Sequence, residues 1–281
     1  MSVNPLLAVN ALNVVFRTKS NTGLLATKRI HAVKNVSFNI HEGEVLSLVG
    51  ESGCGKTTIG RVITRLETTG SGEINYAGQN ILAMPASRFR PLRKHIQMIF
   101  QDPYASLNPR LTVEKTLSEP LFIHKLVKNR DEARTKITTM LKEVGLGAEA
   151  MDRYPHEFSG GQRQRIGIAR AMLVSPRLII ADEAVSALDV SIQAQVLNLL
   201  KKLQRSSGVA MLFISHDLAV VRHISDRICV MYRGEIVEQN ATQNIFEQPQ
   251  HEYTQRLLSS IPVIPGRDKA DSTVSDNRGT L

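Results

Sequence analysis

Apolar positions in this chain fall first into short runs and alternations. Leu7–Phe16 and Val33–Ile40 alternate or run apolar, and Val45–Val49 (VLSLV) is a continuous apolar run. Such patterns predict β-strands, the last one buried on both faces. Past Gly50 the spacing becomes helical, with Thr57, Thr58, Ile59, Val62, Ile63 and Leu66 along one run. Gly70–Gly78 reads as a turn and short strand, and Ile96–Phe100 as a buried strand. From about residue 102 to 165 the pattern is helical and rich in charge, as in Lys128–Leu141, and predicts an inserted helical lobe. Alternation then resumes: a strand over Leu178–Ala181, an amphipathic helix over Val190–Leu203, a strand over Val209–Ile214, and short strands at Arg227–Met231 and Glu235–Glu238. Strands alternating with helices predict an α/β fold around a mainly parallel sheet. A polar, basic loop is expected at Arg17–Arg29, and a polar, disordered tail at Pro265–Leu281. No internal repeat is visible.

Composition narrows the partners. The chain has 281 residues, 42% of them hydrophobic, enough to bury a core without staples. Lys and Arg number 35 against 26 Asp and Glu, and the net charge of +9 calls for an anionic partner: nucleic acid, an acidic membrane surface or a phosphorylated small molecule. Aromatic residues are only 5% and Trp is absent, which argues against a surface that stacks bases. Two cysteines, Cys54 and Cys229, can build neither a disulfide framework nor a four-cysteine metal site. No apolar run approaches the ~18–20 residues of a membrane span. The first residues, MSVNPLLAVNALNVVF, lack the basic segment of a secretory signal. A soluble, intracellular chain is expected.

Gly50–Thr58 (GESGCGKTT) fits G-x-x-x-x-G-K-[ST], with a buried strand before it and a helix after it. Gly50, Gly53 and Gly55 let the backbone, with Glu51, Ser52 and Cys54 between them, wrap an anion. The freed N–H groups and the helix N-terminus then point at phosphate oxygens. Lys56 would reach the β- and γ-phosphates, Thr57 would coordinate Mg²⁺, and Thr58 would support the α-phosphate. Cys54 reads as a small loop residue. Leu178–Glu183 (LIIADE) is an apolar strand ending in two acids. Asp182 would hold the metal, and Glu183 would orient or deprotonate the attacking water.

Three further pieces are Phe158–Gln162 (FSGGQ), Gln101 after the strand IQMIF, and His216 after the strand MLFIS, with Ser186–Asp189 (SALD) following the acidic pair. With these in register, from about residue 8 to 262, the chain resembles the ATP-binding subunits of ABC transporters. The resemblance implies a P-loop NTPase of ABC type, with an N-terminal antiparallel β subdomain and an inserted α-helical subdomain. It implies that Ser159, Gly160, Gly161 and Gln162 cap the γ-phosphate of ATP bound to the other subunit, as bare N–H groups at a positive helix end can. It also implies that Gln101 binds Mg²⁺ and the attacking water and senses the membrane partner. His216 would contact the γ-phosphate, and Asp189 would bridge the subunits. Phe16 is the candidate for stacking on adenine; a plain core role is equally open, and Ile30 or His31 could approach the base instead.

Gln101–Arg110 (QDPYASLNPR), Asp182–Gln195 (DEAVSALDVSIQAQ) and Gln248–Pro262 (QPQHEYTQRLLSSIP) resemble the oligopeptide, dipeptide and nickel importer branch. Ala184-Val185, in place of the commoner Pro-Thr, resembles the second ATPase subunit of such importers. The implied protein is an ATPase at the cytoplasmic face of a prokaryotic inner membrane, powering peptide import. Its partners would be a second ATPase subunit (heterodimer favoured, homodimer possible), two permease subunits and an external binding protein. Nickel or another small solute is the alternative. A soluble ABC-type protein acting on nucleic acid is disfavoured, since no coiled coil or cysteine cluster lies between Gln101 and Ser159. No cysteine follows Cys229, so the iron–sulfur cluster of some relatives is not expected. The expected layout is an ATPase domain over residues 1–264, its C-terminal extension at about 240–264, and the tail.

Overall fold

The computed structural model describes residues 4–19, 27–67 and 70–260. The expected tail, the end of the C-terminal extension and the middle of the Arg17–Arg29 loop lie outside them.

The strands predicted from continuous apolar runs are buried throughout, because each is covered on both faces. They are β3 (Val45–Val49), β7 (Leu178–Asp182) and β8 (Ala210–Ser215). With β6 (Ile96–Ile99), β9 (Arg227–Tyr232) and β10 (Glu235–Ala241) they form a sheet of order β10-β9-β3-β8-β7-β6. All neighbours in it are parallel except the β9–β10 pair. The second sheet, of order β2-β1-β4-β5, is antiparallel and consists of β1 (Leu7–Lys19), β2 (Thr27–Ile40), β4 (Ser71–Tyr76) and β5 (Gln79–Asn80). The helices are α1 (Lys56–Ile63), α2 (Ala86–Phe89), α3 (Val113–Ile123), α4 (Arg130–Glu143), α5 (Gly160–Met172), α6 (Val190–Ser207), α7 (Leu218–Ile224), α8 (Thr242–Glu247) and α9 (Glu252–Ser259).

The larger sheet divides two cores by the two-residue period of its strands. Ile179, Ala181, Met211 and Phe213 face one core, together with α3–α6. Leu178, Ile180, Leu212 and Ile214 face the other, together with α1 and the small sheet. The helices between Gln101 and β7 therefore share a continuous apolar core with one face of the sheet. This gives the phosphate-binding edge and the helical region a common mechanical base.

Two local expectations change. The hairpin β1–β2 continues into the expected basic loop, with Arg17 opposite Arg29 and Lys19 opposite Thr27. Backbone pairing needs no apolar alternation, so the pattern did not reveal it. The helix after the phosphate loop stops at Ile63 and does not reach Leu66. Arg65 takes φ 52°, a left-handed conformation that cannot continue a helix, and Leu66 is exposed. The basic run Arg88–Lys94 spans the end of α2 and a 3₁₀ turn.

The helical region carries one buried charge. Glu114 on α3 is buried and accepts hydrogen bonds from Arg130 (2.8 Å) and Arg134 on α4. The Arg130 hydrogen bond, opposed by burial and aided by the Arg134 charge, holds its carboxyl below the usual glutamate value. A group depressed in the folded state stabilises fully above its unfolded value, and that stabilisation disappears as pH falls through the lower, folded value. Glu114→Gln is expected to lower the Tm at neutral pH by at least ~3 °C. The difference from the parent should shrink on acidification, and thermal melts across pH check it.

Candidate nucleotide site

The site assembles at the C-terminal ends of the parallel strands, where strand direction delivers loop after loop to one edge. Between β3 and α1, the loop Gly50–Gly55 turns back on itself. Gly50 has φ 148°, and a Cβ there would lie 2.1 Å from the Met231 carbonyl oxygen at the end of β9. Only glycine fits that approach. Lys56 is 4% exposed, with Nζ donating to the carbonyls of Gly50 (2.7 Å) and Glu51 (2.9 Å) and lying 3.7 Å from Cys54 Sγ. Its ammonium thus lies in the curve of the loop. Burial pushes the Cys54 thiol up, with Lys56 opposing, which fits a filler better than a nucleophile.

Thr57 Oγ1 donates to Asp182 Oδ1 at 2.8 Å, joining the start of α1 to the end of β7. Burial raises the Asp182 carboxyl above its ordinary value, opposed by that hydrogen bond. A hydroxyl and a carboxylate in contact, with the Gln101 amide lining the same cavity, form an oxygen-rich donor set that suits Mg²⁺.

Glu183 follows at φ 45°, a left-handed conformation that costs of order 1 kcal/mol for a residue with a side chain. Its N–H still donates to Ile214 of β8 (3.0 Å), and its carbonyl accepts from Ser186. The turn takes the side chain off the line of the strand. Its carboxylate accepts from Gln101 Nε2 (2.7 Å) on one oxygen and lies 3.3 Å from His216 Nδ1 on the other. Asp217 caps α7 through the N–H groups of Ala219 and Val220 and thereby fixes the backbone beside His216.

Ser52, Gly53, Gly55, Lys56, Thr57, Thr58, Gln101 and Glu183 line one cavity of about 250 Å³, with Ala32 of β2 at its side. Ser159–Gln162 and Asp189 do not line it. Ser159 caps α5, accepting from the Gln162 N–H while its own N–H donates to Gln162 Oε1 (3.0 Å). A Cβ on Gly161 would lie 2.4 Å from Ile192 Cγ2, so this turn packs closely on α6, which Asp189 begins. Ser159 and Asp189 are exposed. Phe16 is partly buried against the small-sheet core and pairs with Ile30 across the hairpin. His31 Nε2 lies 3.2 Å from Asn13 Oδ1.

Sequence reasoning missed contributors in three places. Ala32 closes the cavity from the other sheet and has no signal of its own. Arg61 and Arg170, with Thr57, Phe100, Gln101, Ser106 and Asp182, line a second cavity of about 350 Å³ on the other side of Gln101. Arg61 was findable, one helical turn after Thr57. Arg170 donates to the Ser106 carbonyl (2.6 Å), a contact over a long sequence separation. The third is buried Gln164, whose amide donates to the Phe100 carbonyl (3.4 Å) and ties α5 to the loop that carries Gln101.

Comparison with known proteins identifies the family and the fold. Residues 33–186 match the family described as ABC transporter, and residues 237–280 match "Oligopeptide/dipeptide transporter, C-terminal region". The chain belongs to the ABC transporter family, and its fold is that of an ATP-binding cassette. It is 54% identical over 261 residues to the glutathione import ATP-binding protein GsiA of Pectobacterium atrosepticum, covering 92% of this chain and 41% of that one. It is 53% identical to GsiA of Escherichia coli over 260 residues, covering 92% and 42%. The chain thus spans about two-fifths of the length of these relatives. Among solved structures, the dimeric ATP-binding cassette MJ0796 bound to ADP and Pi matches with a TM-score of 0.73 and 29% identity, over 84% of this chain and 98% of that one. The protein cbiO1 from Clostridium perfringens, part of the ABC transporter complex cbiONQ, matches with a TM-score of 0.73 and 26% identity, over 87% and 92%.

Lys56→Ala should abolish detectable ATP binding in a calorimetric titration, since it removes the cation from the phosphate cradle. Unchanged affinity would show that the loop does not hold phosphate.

Proposed function

We propose that this chain hydrolyses ATP and powers the import of small peptides through an ABC transporter. The observation that carries the chemistry is the Glu183 carboxylate, held between Gln101 and His216 beside the Lys56 loop and the Thr57–Asp182 pair. In this reading Lys56 and the loop N–H groups hold the β- and γ-phosphates. Thr57, Asp182 and Gln101 hold Mg²⁺, which when bound neutralises charge on the phosphate oxygens. Glu183 accepts a proton from a water aligned by Gln101 as the water oxygen bonds to the γ-phosphorus. The bond to the β-phosphate oxygen breaks, and ADP and phosphate leave. His216 orients the carboxylate and meets the γ-phosphate.

The separation of Ser159–Gln162 from the cavity supports a two-chain engine. One chain supplies the phosphate loop and carboxylates; its partner supplies the Ser159 turn, with Asp189 bridging them. ATP closes this dimer and hydrolysis reopens it. Phe16, Ile30 and His31 remain the candidates for the adenine face. The cavity between α1, Gln101 and α5 is the proposed seat of a segment of the permease subunits, and the chain would then lie peripherally on the cytoplasmic face of the inner membrane. No helix among the described residues is long and apolar enough to cross a membrane, so the translocation path would belong to those subunits. A peptide solute is supported by the C-terminal family match and by relatives whose name states glutathione import.

Two experiments test this. Glu183→Gln should retain ATP binding but hydrolyse it at least ~10²-fold slower, as loss of a positioned base implies; near-normal turnover in a phosphate-release assay would refute the role of Glu183. Affinity purification from membranes should recover two polytopic membrane proteins with the chain. Tight, salt-sensitive DNA binding without membrane association would overturn the transport reading.

A further inference from the structure

The stretch around Tyr253 marks the branch of the family, but its tyrosine also reaches the phosphate loop. Tyr253 lies in the first turn of α9, is 3% exposed, and its Oη accepts the Glu51 N–H at 3.1 Å. That N–H belongs to the same peptide group as the Gly50 carbonyl, which accepts from Lys56 Nζ at 2.7 Å. The peptide group is planar, so the two contacts grip one rigid plate from opposite ends. The Glu51 carbonyl takes the second Lys56 bond at 2.9 Å.

The tyrosine is itself held from two sides. Its ring lies against Tyr232 at the end of β9, centroids 4.2 Å apart, next to the Met231 carbonyl that crowds Gly50. The start of α9 is pinned by Glu238 of β10, whose carboxylate accepts the N–H groups of Gln250 (2.9 Å) and His251 (3.0 Å). His251 Nδ1 in turn accepts the Tyr253 N–H at 3.1 Å.

We propose that Tyr253 is a positioning residue for Lys56, acting through the Gly50–Glu51 peptide plate, and that by it the C-terminal region sets nucleotide affinity. This rests on the nucleotide-binding reading of the loop. With the hydroxyl in place the plate has one orientation, and the carbonyl that directs the ammonium has one direction. Without it the Glu51 N–H loses that acceptor and the plate is free to turn. The phosphate cradle then has to be ordered at the expense of binding. The ring contact with Tyr232 is unaffected by loss of the hydroxyl, so affinity separates from stability.

The test uses Tyr253→Phe in the full chain. ATP affinity is measured by calorimetry, KM and kcat by steady-state ATPase assay, and Tm by thermal melt. The expected result is a rise of about fivefold in both Kd and KM, the scale of one lost hydrogen bond, with kcat within about twofold and Tm near that of the parent. Glu238→Gln, which loosens the anchor of α9, should raise Kd in the same direction by less. The double variant should be no weaker than Tyr253→Phe alone, because both act through the same plate. Parental Kd in Tyr253→Phe, a fall in kcat at unchanged KM, or full additivity in the double variant would each overturn the proposal. A parent chain that binds no ATP would overturn the nucleotide reading together with it, so the two failures are distinguishable.

Discussion

A lysine ammonium that is almost fully buried must be compensated within the protein, and around Lys56 the compensation comes from the backbone carbonyls of its own loop. Those carbonyls face inward because the chain between β3 and α1 makes a tight turn, and the turn closes because Gly50 allows the Met231 carbonyl to approach. The same curvature leaves the loop N–H groups and the start of α1 available to an anion. The partners of this ammonium are neutral carbonyls and not a carboxylate, an arrangement that suits the phosphate binding proposed for the loop. The parallel sheet beneath it supplies rigidity: β3, β7, β8 and β9 all end at this edge.

The acidic half of the site is organised differently. Asp182 ends its strand in regular geometry and bonds Thr57, so its position is inherited from the sheet. Glu183 leaves regular geometry at the next residue, and the cost of its left-handed backbone is offset by retained pairing to β8 and by the Ser186 contacts. Two adjacent carboxylates therefore face different partners. One is placed among groups that suit a metal; the other lies between an amide from the loop after β6 and an imidazole from the loop after β8.

The helical region couples to both halves through single polar contacts. Gln164 reaches the Phe100 carbonyl, and Arg170 reaches the Ser106 carbonyl, so α5 grips the segment carrying Gln101 at two points. The Ser159 turn starts that same helix and packs on α6, which follows the Glu183 loop. α5 is thus joined by contact to the segment carrying Gln101 and, through one shared core, to the residues Ala184 and Val185 after Glu183.

The sequence alone determined the α/β class and marked Lys56, Thr57, Asp182 and Glu183 as candidates. Apolar period, glycine placement and acids after a buried run are local signals, and each is read within a few residues. Gln101, Ser159, Asp189 and His216 became candidates through the resemblance of their motifs to a known family. Sequence reading overran the helix at Leu66 and fell short on the β1–β2 hairpin, because a single left-handed residue and a polar ribbon leave no mark in hydrophobic pattern. Only the tertiary structure decided that Gln101 and His216 converge on one carboxylate, that Arg61 and Arg170 share a cavity with Gln101 and Asp182, and that Tyr253 meets Glu51. Those groups come from segments up to two hundred residues apart. Their meeting depends on where the sheet and helices place whole loops, a property of packing that no local pattern carries.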